Sequence, residues 1–239
     1  MNIYQIDDIA DRIRGNSYVG RGIVIGKSAD GRSACSAYFI MGRSRNSRNR
    51  VFVEREGALY TEPFDASLVE DPSLIIYAAV RQYENRLIVT NGDQTDTVYE
   101  GLAAGKTFSE ALASRCFEPR APKHTARRSG MLTFAAGDSS HKMRFPKSAD
   151  AAGSACCRYT FSYPSLPGLG HFLHTYVCDG DPIPTFQGEP ERVRIPDSID
   201  AFTSSLWEAL DADNKISLYV RYTDLETGKA DVRLINKNR

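Results

Sequence analysis

Paired cysteines, glycine-rich phosphate loops and any excess of basic charge are all missing from this 239-residue chain. No Gly-x-Ser-x-Gly elbow, Walker A loop or GxGxxG run occurs, which removes support for serine-hydrolase chemistry and for triphosphate or dinucleotide sites. Lysine plus arginine total 30 and aspartate plus glutamate total 30, giving a formal net charge of zero. A neutral chain lacks the broad phosphate-backbone footprint of nucleic-acid binders. No apolar run is long enough to span a bilayer, and Met1 to Arg14 lack the apolar stretch of a secretory signal. Cys35, Cys116, Cys156, Cys157 and Cys178 are odd in number and irregular in spacing. That argues against a disulfide framework and for a reducing, cytoplasmic setting. Cys156 and Cys157 are adjacent in a strand-like run, where neighbouring side chains point to opposite faces, so packing is the simpler role. The four histidines form no HExxH, and no paired CxxC exists, so neither a metal nor a cofactor is expected.

What is present is a globular composition, 41% hydrophobic and 25% charged, on a chain able to bury a large core. Against the neutral background stands one cluster, Gly42-Arg43-Ser44-Arg45-Asn46-Ser47-Arg48-Asn49-Arg50, with four arginines in eight positions. Arginine keeps its charge when buried, and its planar fork matches carboxylate or phosphate oxygens two at a time. A solvated hairpin loop explains the same residues without function.

Isoleucines at 6, 9 and 13 predict a short helix over 5–14, ended by Gly15-Asn16. Tyr18 to Gly26 and Ala34 to Met41 read as a hairpin around Ala29-Asp30-Gly31, and 51–53 with 58–64 as another strand pair. Strands are expected at 74–82, 86–90, 131–135, 142–145 and 156–163, and helices at 95–102, 108–116 and 198–210. Thr107 with Glu110 forms a capping-box signature. Residues 164–190, rich in Pro and Gly, read as a long loop carrying His171, His174, Cys178 and Asp179. A hairpin over 216–223 and 230–235 closes the chain. Strands and helices in blocks indicate an α+β fold, one domain over 1–239, with two stacked antiparallel sheets covered by helices and residues 1–15 as a helical extension.

Three places carry candidate chemistry. Asn91-Gly92 with Thr95-Asp96-Thr97 ends a strand and opens a helix, where free backbone N–H groups suit an anion; the plain alternative is a turn capped by Thr95 or Asp96. Tyr18 and Arg21 flank Gly20, and they line one surface only if the strand bends at Gly20 or Gly22. Glu118, beside Phe117 and the prolines Pro119 and Pro122, suits proton transfer, since an apolar setting raises a carboxyl's pKa; an exposed, salt-bridged Glu is the alternative.

Taken in order, Tyr18-Val19-Gly20-Arg21-Gly22-Ile23, Arg43-Ser44 to Asn49-Arg50, Asp71-Pro72 with Tyr77 and Arg81, Asn91-Gly92 with Thr95-Asp96-Thr97, and Glu118 with Thr125-Ala126-Arg127 resemble the archaeal-type IMP cyclohydrolase family. The resemblance covers 16 to about 130. His171, His174-Thr175-Tyr176 and Cys178-Asp179-Gly180 look like a bacterial version. It implies a four-layer αββα sandwich like that of N-terminal-nucleophile hydrolases, without autoprocessing, since seventeen residues precede Tyr18. It implies a purine ribonucleotide as small-molecule substrate, no cofactor, and closure of 5-formamidoimidazole-4-carboxamide ribonucleotide (FAICAR) to IMP and water. By the same resemblance Glu118 shuttles a proton, Tyr77 donates to the formyl oxygen, and an arginine of the loop steadies the oxyanion. Arg48 and Arg50 compete for that role, with Arg50 preferred because it follows Asn49. Tyr18, Arg21, Asn91, Gly92, Thr95, Asp96, Thr125 and Arg127 are the implied substrate contacts. Rival readings are a non-catalytic purine-nucleotide module on the same scaffold, and an amidohydrolase using Cys35 or Cys178. A homo-oligomer is compatible with the chain.

Overall fold

The computed structural model describes residues 4–69, 76–118 and 124–238. The motif Asp71-Pro72, the first part of the strand expected at 74–82, and Pro119 to Lys123 lie outside the described residues.

Two antiparallel sheets carry the architecture, and the fold is α+β. The first has six strands: β11 (Glu191–Arg194), β10 (Leu169–His174), β1 (Arg21–Lys27), β2 (Ser33–Met41), β12 (Lys215–Asp224) and β13 (Ala230–Asn236), in that spatial order. The second has seven in chain order: β3 (Val51–Arg55), β4 (Ala58–Glu62), β5 (Tyr77–Tyr83), β6 (Arg86–Thr90), β7 (Ser129–Ala135), β8 (Asp138–Ser148) and β9 (Cys156–Pro164).

Strand alternation sorts the apolar residues into layers. Ile23, Ile25, Tyr38 and Ile40 of the first sheet meet Tyr77, Val80, Leu87, Val89, Leu132 and Met143 of the second in a core between the sheets. The opposite face of the first sheet, with Val24, Phe39 and Val220, packs on α1 (Ile9–Ile13) and α5 (Ile199–Ala209) through Ile9, Ile13, Phe202 and Leu206. The opposite face of the second, with Ile88 and Met131, packs on α3 (Gln94–Ala103) and α4 (Phe108–Ala111) through Val98, Leu102, Phe108 and Leu112. Residues with helical spacing thus cover both outer faces, as amphipathic helices do.

Four sequence expectations change. The loop expected over 164–190 contains β10, an interior strand of the first sheet that pairs with both β1 and β11. Its glycine is a close approach rather than a turn: a Cβ on Gly26 would lie 2.5 Å from the Gly170 Cα. The helix expected to reach Cys116 stops at Ala111, although its Thr107–Glu110 capping box is present. Arg144 of β8 caps its carbonyls, donating to Ser109 O and Leu112 O at 3.3 and 3.4 Å. The α3 N-cap is Asp93, not Thr95 or Asp96. The arginine cluster is not a plain hairpin loop; it holds a one-turn helix, α2 (Arg45–Arg48), closed by a Ser44–Ser47 capping box.

Between β8 and β10, His141 Nε2 and His171 Nδ1 lie 2.9 Å apart, and His141 Nδ1 is 3.2 Å from the Ser165 hydroxyl. Burial pulls the pKa of His141 down to about 3, aided by His171, and that of His171 down to about 4, aided by Arg192. Both are neutral in the folded chain, while an unfolded histidine titrates near about 6.5. The unfolded state therefore takes up protons that the folded state refuses. Stability from this pair is complete above about pH 6.5 and falls as pH drops towards 4.

Two outcomes follow. Leu173→Ala in β10 should cost about 2–5 kcal/mol in urea unfolding, as for any core leucine. Leu166→Ala, at a 54% exposed position, should stay within about 0.5 kcal/mol; similar values for both would contradict the β10 assignment. The urea midpoint should decline between pH 6.5 and 4, and His171→Phe should make that decline shallower by up to one proton's worth of slope.

Candidate functional site

The site grows from strand ends at one end of the inter-sheet layer. Gly20 has φ +80 and turns the chain just before β1 begins at Arg21. This is the bend that lets Tyr18 and Arg21 share a surface. A side chain there is excluded twice, because a Cβ would sit 2.7 Å from the Tyr176 ring and L residues resist that φ. Tyr176 in turn stacks on Tyr18, with centroids 5.6 Å apart.

Tyr77 opens β5 with its side chain in the inter-sheet core, and its hydroxyl lies 2.9 Å from that of Tyr38 on β2. Burial drives the Tyr38 pKa well above the normal phenol value, and Tyr77 adds to the shift, so this hydroxyl stays protonated. Two guanidinium groups flank the phenol pair. Arg21 donates to Asn91 O at 2.9 Å and lies 3.6 Å from the Glu118 carboxylate. Burial works against its charge, but Tyr77 and Glu118 outweigh burial and raise its pKa. Arg50 is 5% exposed and, among the described residues, is held by backbone, donating to Ser47 O at 2.7 Å and Met41 O at 3.0 Å. Burial lowers its pKa, opposed by Tyr77 and reinforced by Arg21. The result is a dense cationic wall around two hydrogen-bonded phenols, with Glu118 as its carboxylate. Such a wall suits a substrate on which negative charge develops.

The expected residues divide into groups. Tyr18, Arg21, Arg50, Tyr77 and Glu118 come together. Thr125 joins them through its backbone, which accepts from Glu118 N at 2.9 Å, and its hydroxyl lies 3.5 Å from that of Tyr176. Asn91 contributes its carbonyl to Arg21, while its side-chain carbonyl accepts from Arg128 N at 2.8 Å. Its buried Nδ2 has no partner among the described residues. Gly92 and Arg127 form a neighbouring node: Arg127 binds Asp93, which also accepts from Arg115 at 2.7 Å.

Three expected residues sit elsewhere. Arg48 is exposed, bonded to Gly42 O and to Asn214 Oδ1 at 3.1 and 2.8 Å. Thr95 is fully buried inside the turn, 2.7 Å from the Thr90 hydroxyl. Asp96 pairs with Arg81 at 2.6 Å. A register shift between Leu59 and Tyr60 opposite β5 explains that pairing, since Tyr77 and Val80 can both face the core only across a bulge. Arg81 is thereby turned to the α3 side, over the Tyr99 ring.

The sequence assigned no site role to Tyr38 or Arg128, and Tyr176 entered only as part of the His174-Thr175-Tyr176 resemblance. Arg128 is fully buried, donates to His174 O at 3.0 Å, and lies 4.5 Å from the Phe145 centroid. Burial, assisted by Arg21, pulls its pKa to about 9. It ties β7 to the end of β10 behind Asn91. The available signal was strand parity, which puts Tyr38 on the same face as Ile40. The rival nucleophile Cys35 is buried, and burial raises its thiol pKa well above normal, which argues against it. Cys178 is exposed.

A family model described as IMP cyclohydrolase-like protein matches residues 18–229. An IMP cyclohydrolase of Methanopyrus kandleri is 37% identical over 100 residues, which is 42% of this chain and 49% of that protein. One from Haloarcula marismortui is 32% identical over 96 residues, 40% of this chain and 44% of that protein. The chain thus spans about half the length of the relatives it matches.

Tyr38→Phe should leave the fold intact and cost about 1 kcal/mol in thermal or urea unfolding for the lost bond. Tyr77→Phe should then cost less in the Tyr38→Phe background than alone; strictly additive losses would mean that the two hydroxyls do not interact.

Proposed function

Since this chain belongs to the IMP cyclohydrolase-like protein family, we propose that it is an IMP cyclohydrolase acting on FAICAR. The observation that carries the reading is the meeting of Tyr77, Arg50, Arg21 and Glu118 at one end of the inter-sheet layer. Ring closure needs the carboxamide nitrogen to attack the formyl carbon and lose a proton. The formyl oxygen gains negative charge and takes up that proton; a second proton leaves the former formamide nitrogen as its C=N bond forms and the oxygen departs as water, so one substrate gives IMP and one water.

Each demand has a group. Glu118 takes the amide proton and passes it on, with Arg21 holding the carboxylate in place. Tyr77, which Tyr38 can orient, donates to the formyl oxygen. Arg50 faces the same phenol and steadies the oxyanion, a contribution that grows in a site sheltered from water. Its burial beside Tyr77 favours it over Arg48, whose guanidinium is bonded to Gly42 and Asn214. Tyr18, Asn91, Thr125, Gly92 and Arg127 line the path for the ribonucleotide, while Thr95 supports the Asn91–Gly92 turn through Thr90 and Gly92 and Asp96 pairs with Arg81. Holding the formyl arm against the carboxamide supplies the entropic part of an intramolecular closure. Two sheets between helix layers support a likeness to the N-terminal-nucleophile hydrolase sandwich, and the free cysteines fit a cytoplasmic enzyme. No helix among the described residues is long and apolar enough to cross a membrane.

Incubating the purified protein with FAICAR and following IMP absorbance tests the activity; no turnover from folded protein, with nucleotide still bound in calorimetry, would leave a binding module instead. Glu118→Gln and Tyr77→Phe should each lower kcat by about 10²–10⁴-fold. Arg50→Lys should lose more activity than Arg48→Lys, because lysine keeps the charge but not the fork; the reverse order would overturn the Arg50 role.

A further inference from the structure

A cleft of ≈ 620 Å³ opens where the β3–β4 hairpin, the last residues of β5, α3 and the β12–β13 pair converge. Its size is that of a metabolite site. Gln82 on its wall lies five residues beyond Tyr77 on β5, about 16 Å at the rise of a strand, so the cleft is separate from the cluster around Tyr77.

The charges of the lining are unequal. Arg55 pairs with Glu62 at 2.6 Å, and Arg81 pairs with Asp96 while covering the Tyr99 ring at 3.6 Å. Arg221 differs from both. It is 8% exposed, and its partners are neutral: Nε donates to the Thr223 hydroxyl at 3.1 Å, Nη2 donates to Gln82 Oε1 at 2.6 Å, and the buried Tyr219 phenol lies against it as a further acceptor. Among the described residues no carboxylate lies within ion-pairing distance of it. Gln82 is itself held, because its Nε2 donates to Glu84 O at 2.9 Å, which leaves Oε1 to orient the guanidinium. A buried guanidinium without a counter-ion is costly unless something else supplies the negative charge. Here it borders a void wide enough to admit one.

We propose that this cleft is a second binding site, for a small organic carboxylate seated on Arg221. The planar fork suits a carboxylate or a phosphate, and the rim decides between them. Glu54, Glu56 and Glu84 line the same cleft and are exposed, so they repel a dianion and attract a cationic or donor group at the far end of the ligand. A zwitterion, with its carboxylate on Arg221 and its ammonium towards the glutamates, fits best. The site neither uses nor requires the reaction proposed for the Tyr77 cluster.

The experiment follows the Arg221 Nε–H resonance by NMR while glycylglycine, acetate or inorganic phosphate is added to the full chain. Glycylglycine should give a saturable shift at lower concentration than acetate, and phosphate should be weakest. Glu118→Gln should leave the titration unchanged, which separates this site from the proposed active site. Calorimetry should show glycylglycine binding lost in Arg221→Gln and weakened in the exposed-rim variant Glu54→Gln, which keeps every bond to Arg221 and so guards against misfolding. Absence of a saturable shift up to about 50 mM, too weak for a site, would overturn the proposal. So would binding that survives in Arg221→Gln, or phosphate binding most tightly.

Discussion

Two phenols and two guanidinium groups confined at one end of the inter-sheet layer are the constraint on which the rest of the site depends. The Tyr38–Tyr77 hydroxyl contact is buried, and Arg21 and Arg50 stand beside it. Charge in such a place is costly unless acceptors surround it. Backbone carbonyls of Met41, Ser47 and Asn91 accept from the two guanidinium groups, and among the described residues Glu118 pairs with Arg21 alone. Carbonyl partners orient a guanidinium without neutralising it. The charge of Arg50 is therefore cancelled by no salt bridge among the described residues.

That arrangement explains why irregular backbone gathers at this end. The α2 turn places the Ser47 carbonyl under Arg50, and Gly20 lets the chain fold Tyr18 against Tyr176. Arg128 closes the rear by bonding to the end of β10. The opposite end of the layer is polar as well, with Arg221 reaching from the first sheet to Gln82 of the second. A sandwich whose centre is Ile, Val, Leu and Tyr thus keeps an arginine at each mouth, and each is oriented mainly by neutral acceptors.

Much of the fold was legible because the two periodicities are strong. Most strands and the α1, α3 and α5 helices fall close to where alternation and 3.6-residue spacing put them. β10 was not legible, since Leu169-Gly170-His171-Phe172-Leu173-His174 has neither clean alternation nor length and sits among prolines. Its histidines are buried and bonded rather than exposed, and its glycine permits the close approach to Gly26. The bulge opposite β5 was equally hidden; it puts Arg81 and Tyr77 on different faces, although their four-residue spacing in a regular strand implies the same face. Asp96 leaves the site with Arg81 for that reason.

The sequence by itself determined the α+β class, the neutral charge balance that leaves a local arginine cluster conspicuous, and the motifs that carry the family resemblance. Alternation and capping are local properties of neighbouring residues, so they can be read without the fold. Only the tertiary structure decided that Arg50 turns inward while Arg48 turns out to Asn214, that Tyr38 partners Tyr77, and that Arg221 meets an amide rather than a carboxylate among the described residues. Those outcomes depend on contacts between residues 39 to 166 positions apart, and no local pattern encodes which distant phenol or amide a side chain will meet.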